Sequence, residues 1–330
     1  MLALVLLALV SQVGASPLFE RDDVLSIELT GPLSSLVKNK DNRKERPFVL
    51  RANGLEHQIK VRVRGKSRIR VCDFPPLRLN FSEKDTDQSV FSGQDKLKLV
   101  TVCNNSAYSQ ADTLEEYAAY KIFNLISDVS YRVRLVQMTY RDTDKNESKE
   151  PTVRYNFLIE PAAELAHRVG GQAVQATGVT LSTLDTQQAA SVFVFQYLIG
   201  NTDWSLATGD DDDSCCHNAD LYDIESRRFV VPFDFDLAGL VNTKYAKPDP
   251  SFNISKVTKR LYRGYCISPE ALEDATRAIT AEKSDILAVI GQVPGLPDRN
   301  VKRTEKYLDK FFVQANDVEK LVGSFERKCL

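Results

Sequence analysis

The stretch that decides the fold is Gly200-Asn201-Thr202-Asp203-Trp204, then His217-Asn218, then Ala219-Asp220-Leu221-Tyr222-Asp223-Ile224 through Phe229-Val230-Val231-Pro232-Phe233 to Asp234-Phe235-Asp236-Leu237-Ala238-Gly239. Upstream, the apolar run from Thr186 to Ile199 predicts a buried helix that ends at Gly200. Two short apolar runs around the polar turn Glu225-Ser226-Arg227-Arg228 predict a hairpin. The chain therefore delivers polar groups in a set order: helix, Asp203, acidic loop, Asn218, hairpin, Asp234 and Asp236. Two acids directly after Val-Val-Pro-Phe read as a site rather than as turn caps.

Working outward, residues 25–160 are strand-rich, with alternating or apolar runs at 59–64, 77–81, 96–101, 131–141 and 153–160. One helix, from about 112 to 126, interrupts them, carrying Leu114, Tyr117, Ala118, Leu125 and Ile126 on its apolar side. From 161 onward the balance turns helical. One helix starts at Ser268-Pro269 and stops at Pro294-Gly295, and a last one runs from about Asp298 to Phe325. The expected class is α+β. A β-rich lobe with one helix (16–160) and a mostly helical lobe (161–330) form one composite, two-lobed domain with a cleft between them.

An Asp that orients or deprotonates a hydroxyl, followed by an Asn and an Asp that hold Mg²⁺, is the order of a kinase active site. Hard oxygen ligands suit Mg²⁺ or Mn²⁺. In the strand-rich half Lys98 lies in Lys96-Leu97-Lys98-Leu99-Val100, and Glu116 follows in the next helix, the pairing by which kinases aim an ammonium at nucleotide phosphates. Arg78 and Lys96 are alternatives for that cation. Thr113-Leu114-Glu115-Glu116 also fits a capping box, which would give Glu116 a purely local role. No Gly-x-Gly-x-x-Gly loop is present. Instead, Arg62-Val63-Arg64-Gly65-Lys66-Ser67-Arg68-Ile69-Arg70, if extended, puts five basic side chains on one face as a phosphate-binding strip led by Arg62 and Arg64.

At these residues the chain resembles the spore-coat CotH-like atypical kinases. The likeness runs from about Val61 to Gly239, through Arg62, Arg64, Gly65 and Ser67, Leu114-Glu115-Glu116, Tyr155-Asn156-Phe157-Leu158-Ile159-Glu160, Gly200 to Trp204, His217-Asn218 and Pro232 to Asp236. It is closest to an exported branch with Cys72-Asp73-Phe74-Pro75-Pro76-Leu77-Arg78-Leu79-Asn80-Phe81 and Asp95 to Val100. The resemblance implies a kinase-like fold, ATP as phosphate donor and a divalent metal. It makes Asp203 the candidate catalytic Asp and Asn218 and Asp234 metal ligands, and Asp236 is counted with them as a candidate metal residue. The Asp-rich, Cys-bearing loop between Asp203 and Asn218 departs from the family pattern.

The apolar run Leu2–Val10, ended by Val13-Gly14-Ala15, reads as a secretory leader cleaved near residue 15, although no Lys or Arg precedes it. No other apolar stretch reaches membrane length, so the expected product is an exported, soluble protein of the periplasm, envelope or exterior with no stable membrane span. The net charge of −2 gives no reason to expect nucleic acid as a partner. Six cysteines in an exported chain favour disulfides, with Cys72–Cys103 the first pairing expected and Cys215 and Cys216 each reaching elsewhere. Three His and no second Cys pair argue against zinc at Cys215-Cys216-His217. The partners expected are a nucleotide and a protein or small-molecule hydroxyl. ATP is scarce outside the cytoplasm, so a catalytically inactive kinase-like envelope protein is the principal rival, and a hydrolase using Asp203 and Asp234 as an acid/base pair is the third.

Overall fold

The computed structural model describes residues 17–82, 86–145, 150–207 and 215–330. The expected leader and the acidic loop Asp210–Asp213 lie outside the described residues.

Seven strands make up most of the first half: β1 (Leu25–Gly31), β2 (Arg46–Ala52), β3 (Leu55–Val63), β4 (Leu77–Asn80), β5 (Lys96–Val100), β6 (Val133–Asp142) and β7 (Thr152–Ile159). They close into a barrel in the order β1-β2-β3-β4-β5-β7-β6, with β6 returning to β1 in parallel and the other neighbours antiparallel. Period-two alternation explains the closure. Ile27 and Leu29, Val61 and Val63, Leu77 and Leu79, and Leu97 and Leu99 all turn inward to one core. Closing the sheet leaves no edge with unpaired backbone groups. The lobe thus holds two strands beyond the five expected individually. It also holds two short helices, α1 (Leu33–Lys38) and α2 (Arg68–Val71), besides the long α3 (Ala107–Ile126).

Outward-facing residues of β3, β4 and β5 form cross-strand rows. Arg62 stands opposite Arg78, and Arg78 opposite Lys98; Lys60, Asn80 and Lys96 form the next row. On the far wall, Leu135, Phe157 and Ile159 face outward into a second, larger core shared with α3.

That second core is completed by α4 (Ala162–Arg168), β8 (Gln172–Val174), α5 (Thr186–Ile199), the hairpin β9 (Ala219–Ile224) and β10 (Arg227–Pro232), and α6 (Pro269–Ala281), α7 (Lys283–Gly291), α8 (Asp298–Ala315) and α9 (Val318–Glu326). Helix α5 is apolar nearly all round and correspondingly buried. Helix α8 shows Thr304, Leu308, Phe311 and Ala315 to the core at helical spacing. Ser268 caps α6 as expected, accepting from the Ala271 N–H with Pro269 in the first turn. The two long helices expected after 268 are each broken in two. Asp317 starts α9 afresh by accepting from the Lys320 N–H, which favours a new helix over continuation of α8.

Three disulfides are present: Cys72–Cys103, Cys266–Cys329 and Cys215–Cys216. The first is the pairing expected. The last corrects the expectation that Cys215 and Cys216 reach elsewhere: the other four cysteines are consumed by each other, and the two neighbours close on themselves. No helix among the described residues is long and apolar enough to cross a membrane.

Candidate active site

Glu116 sits mid-helix on α3. Ser106 caps that helix, accepting from the Ser109 N–H at 3.1 Å, and Thr113 lies two turns inside it with its hydroxyl on the Ser109 carbonyl. This corrects the capping-box alternative: the helix begins seven residues before Glu116 would need it to, so Glu116 has no terminus to close. The residue is 2 % exposed, and its carboxylate points at the barrel.

The partner it finds there is Arg68, not Lys98. Strand β3 ends at Val63, Gly65 turns the chain at φ +100°, and Arg68 opens the single turn of α2. A left-handed φ of that size suits Gly and strains other residues. The five basic side chains therefore do not share one strand face, which corrects the extended strip. The bend sends Arg68 inward, where Nη2 donates to Glu116 Oε1 at 2.7 Å and to Asp234 Oδ1 at 2.8 Å, while Nε donates to Asp236 Oδ2 at 2.9 Å. Three carboxylates share one buried guanidinium. Burial, with Asp236 and Asp234 adding negative charge, pushes the Glu116 carboxyl up to about 8 against the pull of Arg68. Asp236 is likewise pushed up by burial.

Asp236 was expected among the metal ligands. The residue is instead enclosed, 4 % exposed, and its carboxylate takes hydrogen bonds from Arg68 and from the Tyr245 hydroxyl at 2.8 Å. Asp234 differs: its side chain is 43 % exposed, so one carboxylate presents an open side while Arg68 anchors it. Asp234 has φ +61°, and its N–H donates to the buried Tyr120 hydroxyl at 2.8 Å.

The hairpin brings the remaining groups together. Ala219 pairs with Pro232, and one step further out the Phe233 N–H donates to the Asn218 carbonyl at 3.1 Å. Asp234 is thereby one residue from Asn218's partner. The Asn218 amide donates to the Asp203 carbonyl oxygen and to Asp203 Oδ2, each at 2.8 Å. His217 Nε2 lies 3.1 Å from Asp203 Oδ1. The loop that departs from the family pattern between Asp203 and Asn218 does not separate the two residues in space. On the other side, Gly200 ends α5 at φ +64°, where a Cβ would lie 2.0 Å from the Tyr307 hydroxyl oxygen, and Asn201 Oδ1 accepts from the Asp203 N–H at 3.0 Å. Asp203 is thus held at the end of a buried helix.

Lys98 stands over the rings of Tyr131 and Phe233, at 5.7 and 5.5 Å from their centroids. Burial and the neighbouring Arg64 pull its ammonium below the ordinary lysine value, while Asp220 and Asp234 oppose them. Arg64 is held down by burial, with Asp234, Arg68 and Glu116 in electrostatic reach. Lys98 and Arg64 thus lie in the same field as Asp234, yet neither forms an ion pair among the described residues. Arg62 lies further out, donating to its neighbour's carbonyl at Val63 and facing Arg78.

Sequence reading named Asp203, Asn218, Asp234, Glu116, Lys98 and Arg64; the structure joins Asp203 to Asn218 and both Glu116 and Asp234 to Arg68, with Lys98 and Arg64 in electrostatic reach of Asp234. It missed Arg68 as the hub, and with it Tyr120 and Tyr245. The available signal was Gly65, whose turn breaks the strand before Arg68.

Among the described residues no group of three or more His, Cys, Asp or Glu is arranged to hold a metal ion. The donors on offer are one open carboxylate, Asp234, and the Asn218 amide, whose N–H groups are spent on Asp203 and whose oxygen accepts no hydrogen bond among the described residues. That set fits Mg²⁺, which is held by one or two carboxylates and otherwise by water and phosphate oxygens.

No family model matches this sequence, and no curated protein matches it. Among solved structures, that of a proinflammatory kinase, CtkA, from Helicobacter pylori aligns over 84% of this chain and 92% of its own, at 12% identity and a TM-score of 0.39. A likeness at that level carries no weight for activity, so function has to come from the site.

Proposed function

We propose that this chain is an exported, two-lobed, CotH-like atypical kinase that binds ATP with Mg²⁺ or Mn²⁺ and transfers phosphate to a hydroxyl. The observation that carries the reading is the hairpin: it sets Asn218, hydrogen-bonded to Asp203, beside Asp234, which Arg68 ties to Glu116. An Asp, an Asn and an Asp in that order, backed by a cation–Glu pair from the other lobe, is the apparatus of phosphoryl transfer.

In this reading Asp203 accepts or orients the acceptor proton, and His217 and Asn218 fix the direction of its carboxylate. Asn218 and Asp234 hold the metal, which neutralises phosphate charge when bound. Lys98 and Arg64 meet the phosphates, with Arg62 further out on the same cationic face. Like charges opposite one another on a sheet are destabilising, and the row Arg62, Arg78, Lys98 calls for an anion. Asp236 and Glu116 anchor Arg68 rather than touching ligand. Export is supported by the leader sequence and by three disulfides, which persist in oxidising compartments.

One observation favours the inactive, kinase-like envelope protein: Arg68 already places a cation on Asp234. The test is thermal melting of the full chain with ATP, with and without Mg²⁺ or Mn²⁺. A metal-dependent rise in midpoint, lost in Asp234→Ala, supports nucleotide binding. Asp203→Ala should keep that rise and lose phosphate transfer, the pattern of a group needed only in the transition state. No ATP-dependent rise in the wild type leaves the inactive protein standing.

A further inference from the structure

The inward-facing rows of the barrel change character at one end. On β6 and β7 they run from Val136, Met138 and Leu158, all buried in the barrel core, to Tyr140, Asp142 and Arg154. Strand β5 stops at Val100, opposite Phe157, so β7 extends past it and leaves the mouth open. A cavity of about 490 Å³ lies there, between α1, Phe74 and the ends of β6 and β7. Its size falls in the range of ligand pockets, about 300–1,000 Å³, and barrel mouths are among the places where such pockets form.

The floor is apolar, made of Leu33 and Val37 of α1, Phe74, Val102 and Tyr140. Val37 and Phe74 are only half-buried, so the barrel's own side chains do not fill the space. Asn156, enclosed in the wall, needs no ligand: its Oδ1 accepts from the Val102 N–H and its amide donates to the Tyr140 hydroxyl, both at 3.1 Å. The charges of the lining, by contrast, do not balance. Three cations, Lys38, Lys145 and Arg154, stand with one acid, Asp142. That acid is committed: it accepts from the Ser34 N–H at 3.1 Å and from the Ser34 hydroxyl, and it pairs with Lys145 at 3.2 Å. Arg154 donates only to neutral oxygens, those of the Asn105 side chain and the Val153 carbonyl. Lys38 is exposed and forms no ion pair among the described residues.

Two positive charges without a carboxylate thus border an apolar floor. A neutral ligand would leave that charge unmet, and a fully polar anion would gain nothing from the floor. We infer that the barrel mouth binds a small amphipathic acid, an apolar chain or ring with one acidic head group, read by Lys38 and Arg154. The site shares no residue with the one around Asp234, so the inference is independent of the phosphotransfer reading.

The test titrates the full, disulfide-intact chain with dansyl-labelled undecanoic acid, follows dansyl fluorescence, and displaces the probe with dodecanoate or dodecanol below their micelle-forming concentrations. Dodecanoate should displace it at a concentration lower by about tenfold or more, the worth of one charge-assisted hydrogen bond. Lys38→Glu, at an exposed position, should erase most of that preference and leave the melting midpoint in place; Arg154→Gln should reduce it. Val37→Trp, which fills the mouth, should abolish probe binding. Absence of a saturable fluorescence change, equal displacement by acid and alcohol, an unchanged preference in Lys38→Glu, or probe binding that survives Val37→Trp each overturns the inference.

Discussion

Arg68 and Glu116, 48 positions apart in sequence, meet at 2.7 Å with both side chains buried. The same guanidinium also holds Asp234 and Asp236, so the barrel, helix α3 and the segment after the hairpin converge on one cation. A charge in that position cannot be removed without leaving carboxylates uncompensated, and several consequences can be measured.

Arg68→Ala should destabilise the protein by about 3–5 kcal/mol, the cost of breaking a buried pair from one side. Glu116→Gln should cost less than that, because burial disfavours the Glu116 carboxylate and pushes its carboxyl up, so losing the charge gives back part of what the ion pair contributes. Urea unfolding of both variants at pH 7 checks the asymmetry. Equal losses would mean that Glu116 is ionised and contributes as a full partner.

Lys98→Met should separate stability from binding. The ammonium is pulled down by burial, so replacing it with an apolar chain of similar length should leave the melting midpoint unchanged or raise it. Nucleotide affinity should fall about tenfold or more through loss of a phosphate contact. Titration with ATP and Mg²⁺ reads the second effect, and unchanged affinity would remove Lys98 from the nucleotide site.

The Cys72–Cys103 bridge ties the end of the Arg68 turn to the segment that leads into α3. Mass spectrometry under alkylating conditions should find no free thiol in the native protein. Replacing both cysteines with Ala should cost about 2–4 kcal/mol. It should also weaken the ATP-dependent melting shift, since the bridge spans the elements that carry Arg68 and Glu116.

Stability should fall as pH rises from about 5 to 9. Burial, reinforced by Glu115, pushes Asp112 up to about 8; burial, reinforced by Glu160, pushes Glu164 up to about 7. Both groups hold protons more tightly folded than unfolded. Their contribution is therefore complete below the ordinary carboxyl range and lost as pH climbs through 7 and 8. Melting midpoints across that window check the slope, and Asp112→Asn should flatten its upper part. A midpoint that rises across the window contradicts the assignment.

What the sequence alone determined is local. The alternation of Leu97 and Leu99 with Lys96 and Lys98, the uniform apolarity of Thr186–Ile199, the Ser268-Pro269 cap and the two runs around Glu225-Ser226 each depend on residues a few positions apart. The hairpin is of that kind, and because it brings Asn218 alongside Phe233, the order of Asp203, Asn218 and Asp234 translates directly into nearness. Tertiary structure decided the rest. Whether Glu116 meets Lys98 or Arg68 turns on where the Gly65 bend aims a side chain across the barrel wall. Whether Asp236 faces ligand or core turns on an Arg that lies 168 residues earlier. Closure of seven strands and the pairing of Cys215 with Cys216 follow from which partners the other segments have already taken. Periodicity sets which face of a strand or helix is buried, but a buried charge is settled only by the charges that packing brings to it, and those come from anywhere in the chain.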